Sequence, residues 1–596
     1  MPRRARYLVP RGLPRRDEIL AVCLLFAVLA HVLFAQLTLL LAVVFYLITK
    51  VTRWRPSWLA VPAAAGLVWT VAAGPRAAAA GFTAGPAQIA DYLGASGHQA
   101  DHLLHFTTAF AGIGTWLPRQ LPLAIVAGAA EAAAACWLTW LHTDEWMLRP
   151  ARPGLIVAAR RAATAHAIRA GGVVTRDGGC LGVATGSGAR VTVSWAEAAG
   201  SVAVCGSAGP DVLTTSFQLI HAAIRRRKPV LAVDHTSGPW LPGKLAAVCA
   251  AAGAPLLVFG GPGGPARAGA AACYEPFRHG DPGRRAALVM AMLSWDGPGR
   301  QYRRSCAAYL EDIFELLDAA PGDPRVAVLD EVIHLLNPTA MRARMDYVPA
   351  AYPRRAVLAE RTRVSASLIS AEPATIAELG RQLRELRASP FGRWLRPPAG
   401  GPAAEIDLDR AVAARAVVLF RLGGPGPAEG SAMLTRLVGQ DLLATGAALG
   451  GIGVHGDGII WLTECGALPR RSVTDMIARG QDTGLPVLAT TTSAHVGVDL
   501  AGLVNVVVAH RMDDAGTARR LSAAVGADPA QPPELDPGPA GGPGPAPGGV
   551  AALRAGEFLL AVRNPRRLVS RGLLVRARVP PAAVPAAPSR RAWEGA

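Results

Sequence analysis

The stretch Ser201–Arg226, SVAVCGSAGPDVLTTSFQLIHAAIRR, decides the fold of this chain. Residues 201–205 form a short apolar segment, Gly206 opens a loop, and an amphipathic helix is predicted from about Thr214 to Arg226. A strand, a glycine-containing loop and a helix in this order form the unit that grips phosphate in many nucleotide-binding folds. The stretch therefore predicts an α/β fold and marks the place where nucleotide chemistry belongs.

Outward from this stretch, apolar strand-like segments alternate with helical ones, which predicts a mostly parallel sheet with crossover helices. A small β-hairpin is predicted before it, at 171–195, around Asp-Gly-Gly and Gly-Ser-Gly turns. Buried-type strands are predicted after it at KPVLAVD (228–234), APLLVFG (254–260), AVVLFRL (416–422), GIIWLTE (458–464), LPVLATT (485–491) and LVNVVVAHR (503–511).

The order of these textures predicts the domain organisation. An α/β core made of 150–275 and 405–526 is interrupted by an all-α insertion, 276–404, with amphipathic stretches such as 284–295, 302–318 and 373–387. Residues 527–550 form a Pro/Gly-rich linker with too few apolar side chains to bury. A C-terminal β segment is predicted at 551–580, with a hairpin inside 556–579, and a disordered tail at 581–596.

Three apolar stretches, 19–49, 57–74 and 121–141, precede the core. A spanning helix needs about 20 apolar residues, so each stretch is a candidate and 19–142 is predicted to be a membrane region. The first stretch is too long for a signal peptide, and no small-residue cleavage site closes it.

Positive charge predicts the orientation of this membrane region. Arginines crowd the N-terminal tail 1–18, and Lys50, Arg53 and Arg55 follow the first apolar stretch, so both flanks favour the cytoplasm. A hairpin or re-entrant pair satisfies both flanks with short passes of about 15 residues, whereas one long tilted helix places the tail outside. Arginines between 149 and 161 place the large C-terminal part inside, so we expect a multi-pass bacterial membrane protein.

Two compositional features bound the partners and the compartment. Lys and Arg number 61 against 43 Asp and Glu, a net charge of +18, which fits either a GC-rich coding bias or a polyanionic partner such as nucleic acid or anionic lipid. The eight cysteines are scattered without any C-x-x-C pair, which fits a reducing compartment rather than a zinc or disulfide framework.

Three local patterns resemble ligand-binding sites, but we interpret each of them as a structural feature. His98, Asp101, His102 and His105 share one helical face, which we interpret as an amphipathic surface helix rather than a metal site, since no second ligand cluster supports it. Asp330-Glu331 resembles an acidic strand end, but the surrounding apolar residues recur at helical spacing. The Pro-rich run 260–269 is interpreted as a plain loop.

The loop after residue 205 departs from a working phosphate loop. The working pattern is G-x-x-x-x-G-K-[ST], whose amides cradle phosphate, whose Lys neutralises it and whose hydroxyl holds Mg²⁺. Here the eight positions read GSAGPDVL (206–213), so Asp211, Val212 and Leu213 replace the second Gly, the Lys and the hydroxyl, and Pro210 lacks an amide N–H. The remnant that could still touch a nucleotide is Gly206, Ser207, Ala208, Gly209 and Thr214.

Together, these replacements weaken the electrostatic attraction of the loop for a nucleotide. One carboxylate about 4 Å from a phosphate charge costs roughly 4 kcal/mol at an effective dielectric constant near 20, and the lost Lys removes an attraction of similar size. Ordinary Mg-ATP binding is therefore not expected, and no cofactor is assigned beyond weak or absent ATP and Mg²⁺. Thr214 and Thr215 offer a replacement metal ligand, but nothing replaces the Lys.

The second half of such a site is an acidic residue that ends a buried strand. In GIIWLTECGALPR, Thr463 stands where the Mg²⁺-coordinating Asp belongs, while Glu464 keeps the position that orients the attacking water. Glu464 is therefore the one candidate catalytic residue, and we regard it as vestigial. Both halves of one site are damaged, which is stronger evidence than either alone.

The order of elements resembles the conjugative coupling proteins of the TraG/TraD class, which are type IV secretion ATPases, and more distantly the FtsK/HerA translocases. The resemblance covers about residues 150–525 and is carried by GVVTRDGGCLGVATG (172–186), VTVSWAEAAGSVAVCGSAG (191–209), AAIRRRKPVLAVD (222–234), AVVLFRLGG (416–424) and WLTECGALPRRSVTDMIARGQDTGLPVLATTTS (461–493). It implies N-terminal transmembrane helices and a RecA-like P-loop NTPase fold with an all-α insertion.

In that family, the last segment carries an acidic pair, a basic turn and a Gln-containing sensor strand. Here Gln481 follows Ala-Arg-Gly, and Thr492 stands where the sensor Gln is expected. Arg479 and Arg511 remain candidates for charged interface residues. The resemblance carries the fold over well and the hydrolytic chemistry poorly.

Three functions follow as hypotheses. The first is a membrane-anchored coupling-protein homologue that does not hydrolyse ATP, recruits DNA or a relaxase-like protein, and forms a homo- or hetero-oligomeric ring, in the latter case with an active motor. The second is an active ATPase with unusual site residues, and the third is a non-enzymatic membrane scaffold.

Overall fold

A computed structural model describes residues 37–51, 56–80, 83, 113–142, 155–236, 238, 240–259, 271–295, 297–396, 405–423, 428–451, 458–468, 470–526, 549–564 and 568–579. The predictions made for the tail 1–18, the histidine cluster around His98, the loop 260–269, most of the linker 527–550 and the tail 581–596 lie outside these residues. Two compact units are present, Met1–Ala162 and Ala163–Ala596.

The first unit consists of apolar helices: α1 (Leu37–Val51), α2 (Ala60–Ala73, preceded by a 3₁₀ turn at Pro56–Leu59) and α3 (Ile113–His142). Within the described residues, Pro56–Ala73 is the one helix long and apolar enough to cross a membrane. It coincides with the second of the three predicted spans.

The prediction of several membrane passes is not supported by the described residues. Leu37–Val51 and Gln120–Cys136 are apolar but shorter than a span. Fifteen helical residues extend about 22 Å, less than the roughly 30 Å of a bilayer core. The remainder of the first predicted stretch, 19–36, lies outside the described residues.

The second unit is built on one sheet of 13 strands. The strands are β1 (Gly178–Ala184), β2 (Arg190–Ser194), β3 (Val202–Cys205), β4 (Val230–Asp234), β5 (Leu256–Phe259), β6 (Ala271–Tyr274), β7 (Glu405–Ile406), β8 (Val417–Arg421), β9 (Ile459–Thr463), β10 (Val487–Thr491), β11 (Val506–His510), β12 (Glu557–Val562) and β13 (Leu568–Leu574). Their order in the sheet is β2-β1-β13-β12-β11-β3-β10-β9-β4-β8-β5-β6-β7.

The pairing within the sheet changes at β11. From β11 to β7 every neighbouring pair is parallel. β12, β13, β1 and β2 extend the sheet by antiparallel pairing. The predicted mixed α/β fold with a mostly parallel sheet is therefore confirmed, and both predicted hairpins belong to the same sheet as the core.

Helices cover both faces of this sheet. They are α4 (Leu155–Arg169), α5 (Gly209–Arg225), α6 (Trp240–Ala252), α7 (Pro282–Met292), α8 (Arg303–Ala319), α9 (Val328–Leu335), α10 (Pro338–Met345), α11 (Arg355–Ala371), α12 (Ala374–Ala388), α13 (Leu408–Ala413), α14 (Ala428–Gly451), α15 (Arg470–Asp482), α16 (Ala494–Leu503) and α17 (Ala515–Ala524). Helices α7 to α12 fill the region predicted to be helical.

The strands bury alternate residues into two cores, as a sheet covered on both faces requires. In β4, Leu231 and Val233 join the core that also contains the helical insertion, while Val230 and Ala232 join the core beneath α5 and α6. Helix α5, which follows the candidate phosphate loop, packs on the second face.

The acidic pair at 330–331 lies in the first turn of α9, as the helical spacing predicted. Asp330 forms an ion pair with Arg387, and Glu331 forms one with Arg344. These carboxylates therefore join helices of the insertion to one another and are not part of a nucleotide site.

Candidate nucleotide site

The candidate phosphate loop follows the central strand β3. At its end, Cys205 lies in register with Thr491 on β10 and with Ala509 on β11. Only residues 206–208 form the loop, because α5 begins at Gly209 with Ala208 as its N-cap. The carboxyl ends of parallel strands are where such folds bind ligands, so the loop lies where the sequence places it.

The helix starts five residues earlier than the predicted Thr214, which is a correction to the sequence reading. Pro210 lies in the first turn of α5, where its missing N–H costs nothing and its fixed φ favours the helix. A phosphate loop wraps phosphate with the residues that lie between its two glycine positions, ahead of the helix N-terminus. Here Gly209 and Pro210, which belong to that stretch, are already helical, so the loop ahead of the helix is shortened.

Two of the three loop amides donate to neighbouring segments of the chain. The Gly206 N–H donates to the Thr491 carbonyl at 3.4 Å, and the Ser207 N–H donates to the Arg511 carbonyl at 2.9 Å. The Ser207 hydroxyl accepts the Asp513 N–H at 2.9 Å. The loop is therefore bonded to the chain itself.

Glycine is required at the start of this loop by a close approach. A Cβ atom at Gly206 would lie 2.5 Å from the Cβ of His510, which is too close for any side chain. The first Gly is thus kept for packing against β11. Its presence does not by itself indicate phosphate binding.

Two of the three replaced positions, and Thr214 beside them, have structural roles of their own. The Asp211 carboxylate accepts the Gly556 N–H at 3.1 Å and lies 3.5 Å from the Arg576 guanidinium. Val212 is 1% exposed and belongs to the core beneath α5. Thr214, a possible metal ligand, donates its hydroxyl to the Pro210 carbonyl one turn earlier, at 2.6 Å.

Below this first turn, a buried histidine links three elements. The Thr215 hydroxyl lies 2.9 Å from His510 Nε2, and His510 Nδ1 lies 3.2 Å from the Glu557 carbonyl oxygen. Because a carbonyl only accepts, Nδ1 carries the proton and Nε2 accepts from Thr215. Burial lowers the pKa of His510 from its ordinary 6.5 to about 4, so the ring is neutral near pH 7.

The candidate catalytic residue Glu464 is held by the residues that follow β10. Its carboxylate accepts the Thr492 N–H at 3.1 and 3.2 Å, the Thr492 hydroxyl at 2.9 Å and the Thr491 hydroxyl at 3.4 Å. The backbone is left-handed, with φ of 48°, a conformation that is strained for a non-glycine residue. These hydrogen bonds occupy both carboxylate oxygens and hold the side chain against the residues that follow β10.

The position of the Mg²⁺-binding Asp is occupied by a buried hydroxyl that serves another strand. The Thr463 hydroxyl donates to Oδ1 of Asp234 at 2.7 Å, and Asp234 lies beside it at the end of β4. The same oxygen accepts the N–H and hydroxyl of Thr236 at 2.9 and 2.7 Å. Asp234 is 1% exposed, so its carboxylate is not open to a solvated metal ion.

Thr491 connects the two predicted halves of the site. Its carbonyl accepts the Gly206 N–H and its hydroxyl donates to Glu464, so the structure does bring loop and candidate base to one edge of the sheet. Arg511 is exposed directly after β11, at this edge of the sheet. Arg479 is exposed near the end of α15, which returns toward the starts of β3 and β10, so it lies at the opposite edge. Gln481 donates to the Gly200 carbonyl at 2.9 Å, which is a structural contact.

The residues present do not fit Mg-ATP. Within the described residues, no cluster of three or more His, Cys, Asp or Glu side chains could hold a metal ion. The loop offers an engaged amide at Gly206, a carboxylate at Asp211 and a buried Val212 where a cation is needed.

Thr215, a possible metal ligand in the sequence, instead bonds His510, and two contributors to this edge escape sequence reasoning: Asp234 and His510. Asp234 and His510 each end an otherwise apolar strand, and a polar residue at a buried strand end is the signal that could have identified them. Their partners lie far away in the sequence, so only the folded chain reveals what they contact.

No family model matches the chain, and no curated protein matches it. Among solved structures, similar chains include the plasmid coupling protein TrwB in complex with ADP and Mg²⁺, at 12% identity and a TM-score of 0.44, over 70% of this chain and 93% of that one. The unbound bacterial conjugative coupling protein TrwBdeltaN70 is similar at 11% identity and a TM-score of 0.42, over 74% and 96%. VirB4 of Thermoanaerobacter pseudethanolicus is similar at 12% identity and a TM-score of 0.39, over 68% and 98%.

Proposed function

We propose that this chain is a membrane-anchored homologue of conjugative coupling proteins that has kept the motor fold and lost nucleotide hydrolysis. In this role it recruits DNA or a protein substrate such as a relaxase, or joins an active motor in a ring. The family assignment rests on the sequence features quoted above, together with the mostly parallel sheet that places the loop and Glu464 at one edge. Pro56–Ala73 is the helix that would anchor it.

One observation supports the proposed loss of hydrolysis: the residues at the phosphate-binding positions bind other parts of the chain. Asp211 binds the Gly556 amide, Val212 is buried in the core, and the Gly206 and Ser207 amides donate to strand carbonyls. Placing a triphosphate there would require breaking these contacts and would bring it against a carboxylate.

Equilibrium titration of the full-length chain with Mg-ATP tests this proposal. We expect no saturable binding up to millimolar concentrations, and no hydrolysis above a blank. The variant Glu464→Gln serves as the control. A mid-micromolar or tighter affinity, with hydrolysis that this substitution abolishes, would instead establish the second hypothesis, an active ATPase with unusual residues.

Binding of DNA separates recruitment from scaffolding. If the basic chain, with its net charge of +18, recruits DNA, affinity should fall steeply as salt rises, because each phosphate contact releases counterions. Absent or salt-insensitive binding would favour the scaffold hypothesis. Co-purification with an intact motor ATPase would support the mixed ring.

A further inference from the structure

The last two strands of the sheet join parts of the chain that are far earlier in the sequence. β12 pairs with β11 at the edge of the parallel strands, and β13 pairs with β12 and with β1. In the order of the sheet, the hairpin β1–β2 therefore reaches the parallel core only through β12 and β13.

One side of α5 carries polar side chains that bind these two strands, and it also contacts β1, where the Gln218 side-chain amide lies 3.5 Å from the Cys180 carbonyl. Asp211, Thr215 and Gln218 are spaced by four and three residues, so they lie on one helical face. Asp211 accepts the Gly556 N–H, and the Gln218 side-chain amide donates to the Val575 carbonyl at 2.9 Å. Thr215 reaches β12 through His510, as described above. The first turn of the candidate phosphate helix thus binds β12, and its third turn binds the residues after β13.

The end of β13 also contacts the segment that enters this unit. Val575 packs in a small core with Ala165 and Ile168 of α4 and with residues of β1. The Arg578 N–H donates to the Arg169 carbonyl at 3.3 Å. Helix α4, here called the entry segment, follows the apolar N-terminal region in sequence and precedes the hairpin β1–β2. Strands β12 and β13 therefore join the entry segment to α5.

An aromatic ring fixes the register of the pair. Phe558 on β12 is fully buried, and a Cβ atom at Gly572 would lie 2.4 Å from its Cζ. At Gly182 on β1, a Cβ atom would lie 3.2 Å from the same ring. Glycine at both positions lets the ring lie flat across three antiparallel strands.

We infer that β12–β13 is an intramolecular strap, which clamps the entry segment and the hairpin β1–β2 onto α5 and opens together with that hairpin while the parallel core stays folded. The strap is rooted where the Val550 N–H donates to the Ser522 hydroxyl at 2.9 Å, and a Pro/Gly-rich linker separates it from α17. The inference stands on these contacts and holds whether or not nucleotide binds.

Native-state hydrogen exchange of the full-length chain, read by mass spectrometry, tests the strap. In the native chain, amides of β1, β2, β12 and β13 should exchange as one group, faster than those of β3, β9 and β10. In Asp211→Ala, exchange of that whole group should quicken by about tenfold or more, as expected on removal of a charge-assisted hydrogen bond. The parallel strands should be unaffected.

Two further variants define the outcome. Arg576→Ala should quicken exchange by no more than about twofold, because the arginine is mostly exposed and its contact is long. Exposed Asp475→Ala on α15 should change nothing. If Asp211→Ala does not fold, Asp211→Asn is the milder substitution, because it removes the charge but keeps an acceptor oxygen. Two results would overturn the strap. One is that the amides of β1, β2, β12 and β13 exchange at the same rate as those of the parallel core. The other is that Asp211→Ala quickens exchange in β12 and β13 but leaves exchange in β1 and β2 unchanged.

Discussion

His510 makes the fold sensitive to acid, and removing it should remove part of that sensitivity. The ring is neutral, donates to the Glu557 carbonyl and accepts from Thr215. Protonation would place a second N–H against the Thr215 hydroxyl and a charge in the buried space between α5, β11 and β12. The charged group nearest the ring is Asp211, which favours protonation but does not offset burial.

The magnitude follows from proton linkage. Burial lowers the pKa of His510 from 6.5 in the unfolded chain to about 4, so the unfolded state binds more protons between these values. Stability is therefore full above pH 6.5 and is lost as the pH falls toward 4. At about pH 5 the loss for this one group is roughly 2 kcal/mol, a large fraction of a typical domain's stability.

Denaturant unfolding of the full-length chain across this pH range measures the effect. His510→Phe keeps an aromatic ring of similar size but does not titrate, so its stability should fall less with acid than that of the native chain, by about 2 kcal/mol near pH 5. Burial also lowers the pKa of His221 and of His235 to about 4, so the native chain should lose more in total than His510 explains.

Exposed His495→Phe is the matched control and should follow the native pH dependence. If the difference in unfolding free energy between the native chain and His510→Phe were the same at neutral and acid pH, protonation of His510 would not contribute to the acid sensitivity of the fold.

Three further substitutions test packing and charge. Val212→Lys, which restores the missing cation, should destabilise the chain by several kcal/mol, roughly the cost of a buried unpaired charge, and thermal unfolding would contradict this if the midpoint stayed unchanged. Arg284→Ala should cost about 3 kcal/mol, because it leaves the buried Asp441 carboxylate without its ion pair, and denaturant midpoints measure it. Gly572→Val should collide with Phe558 and loosen the strap; normal proteolytic resistance of β12–β13 would argue against that contact.

The sequence predicts the strands of the parallel core because burial on both faces leaves continuous apolar runs. The same rule fails for β6 and β7, since Ala271–Tyr274 lacks β-branched residues and Glu405–Ile406 is too short to carry any period. Likewise, Gly209 and Pro210 suggest a loop when taken alone, although Pro favours the first turn of a helix.

The candidate site was predicted in place but not in content. Spacing alone identifies Gly206 and Glu464 as the two ends of one site, and Thr491 indeed contacts both. That Asp211 binds Gly556 depends on a strand 345 residues later in the chain, and no local pattern encodes such a contact. The sequence therefore shows which residue types replace the phosphate-binding ones, whereas the contacts that the replacing residues make are visible only in the folded chain.

The most direct test of the central claim is hydrogen exchange at the loop itself. If the Gly206 and Ser207 amides are already bonded to Thr491 and Arg511, their protection should be high in the free chain and unchanged by millimolar Mg-ATP. Low protection in the free chain that rises when Mg-ATP is added would show that the amides are available to phosphate, and would contradict the account.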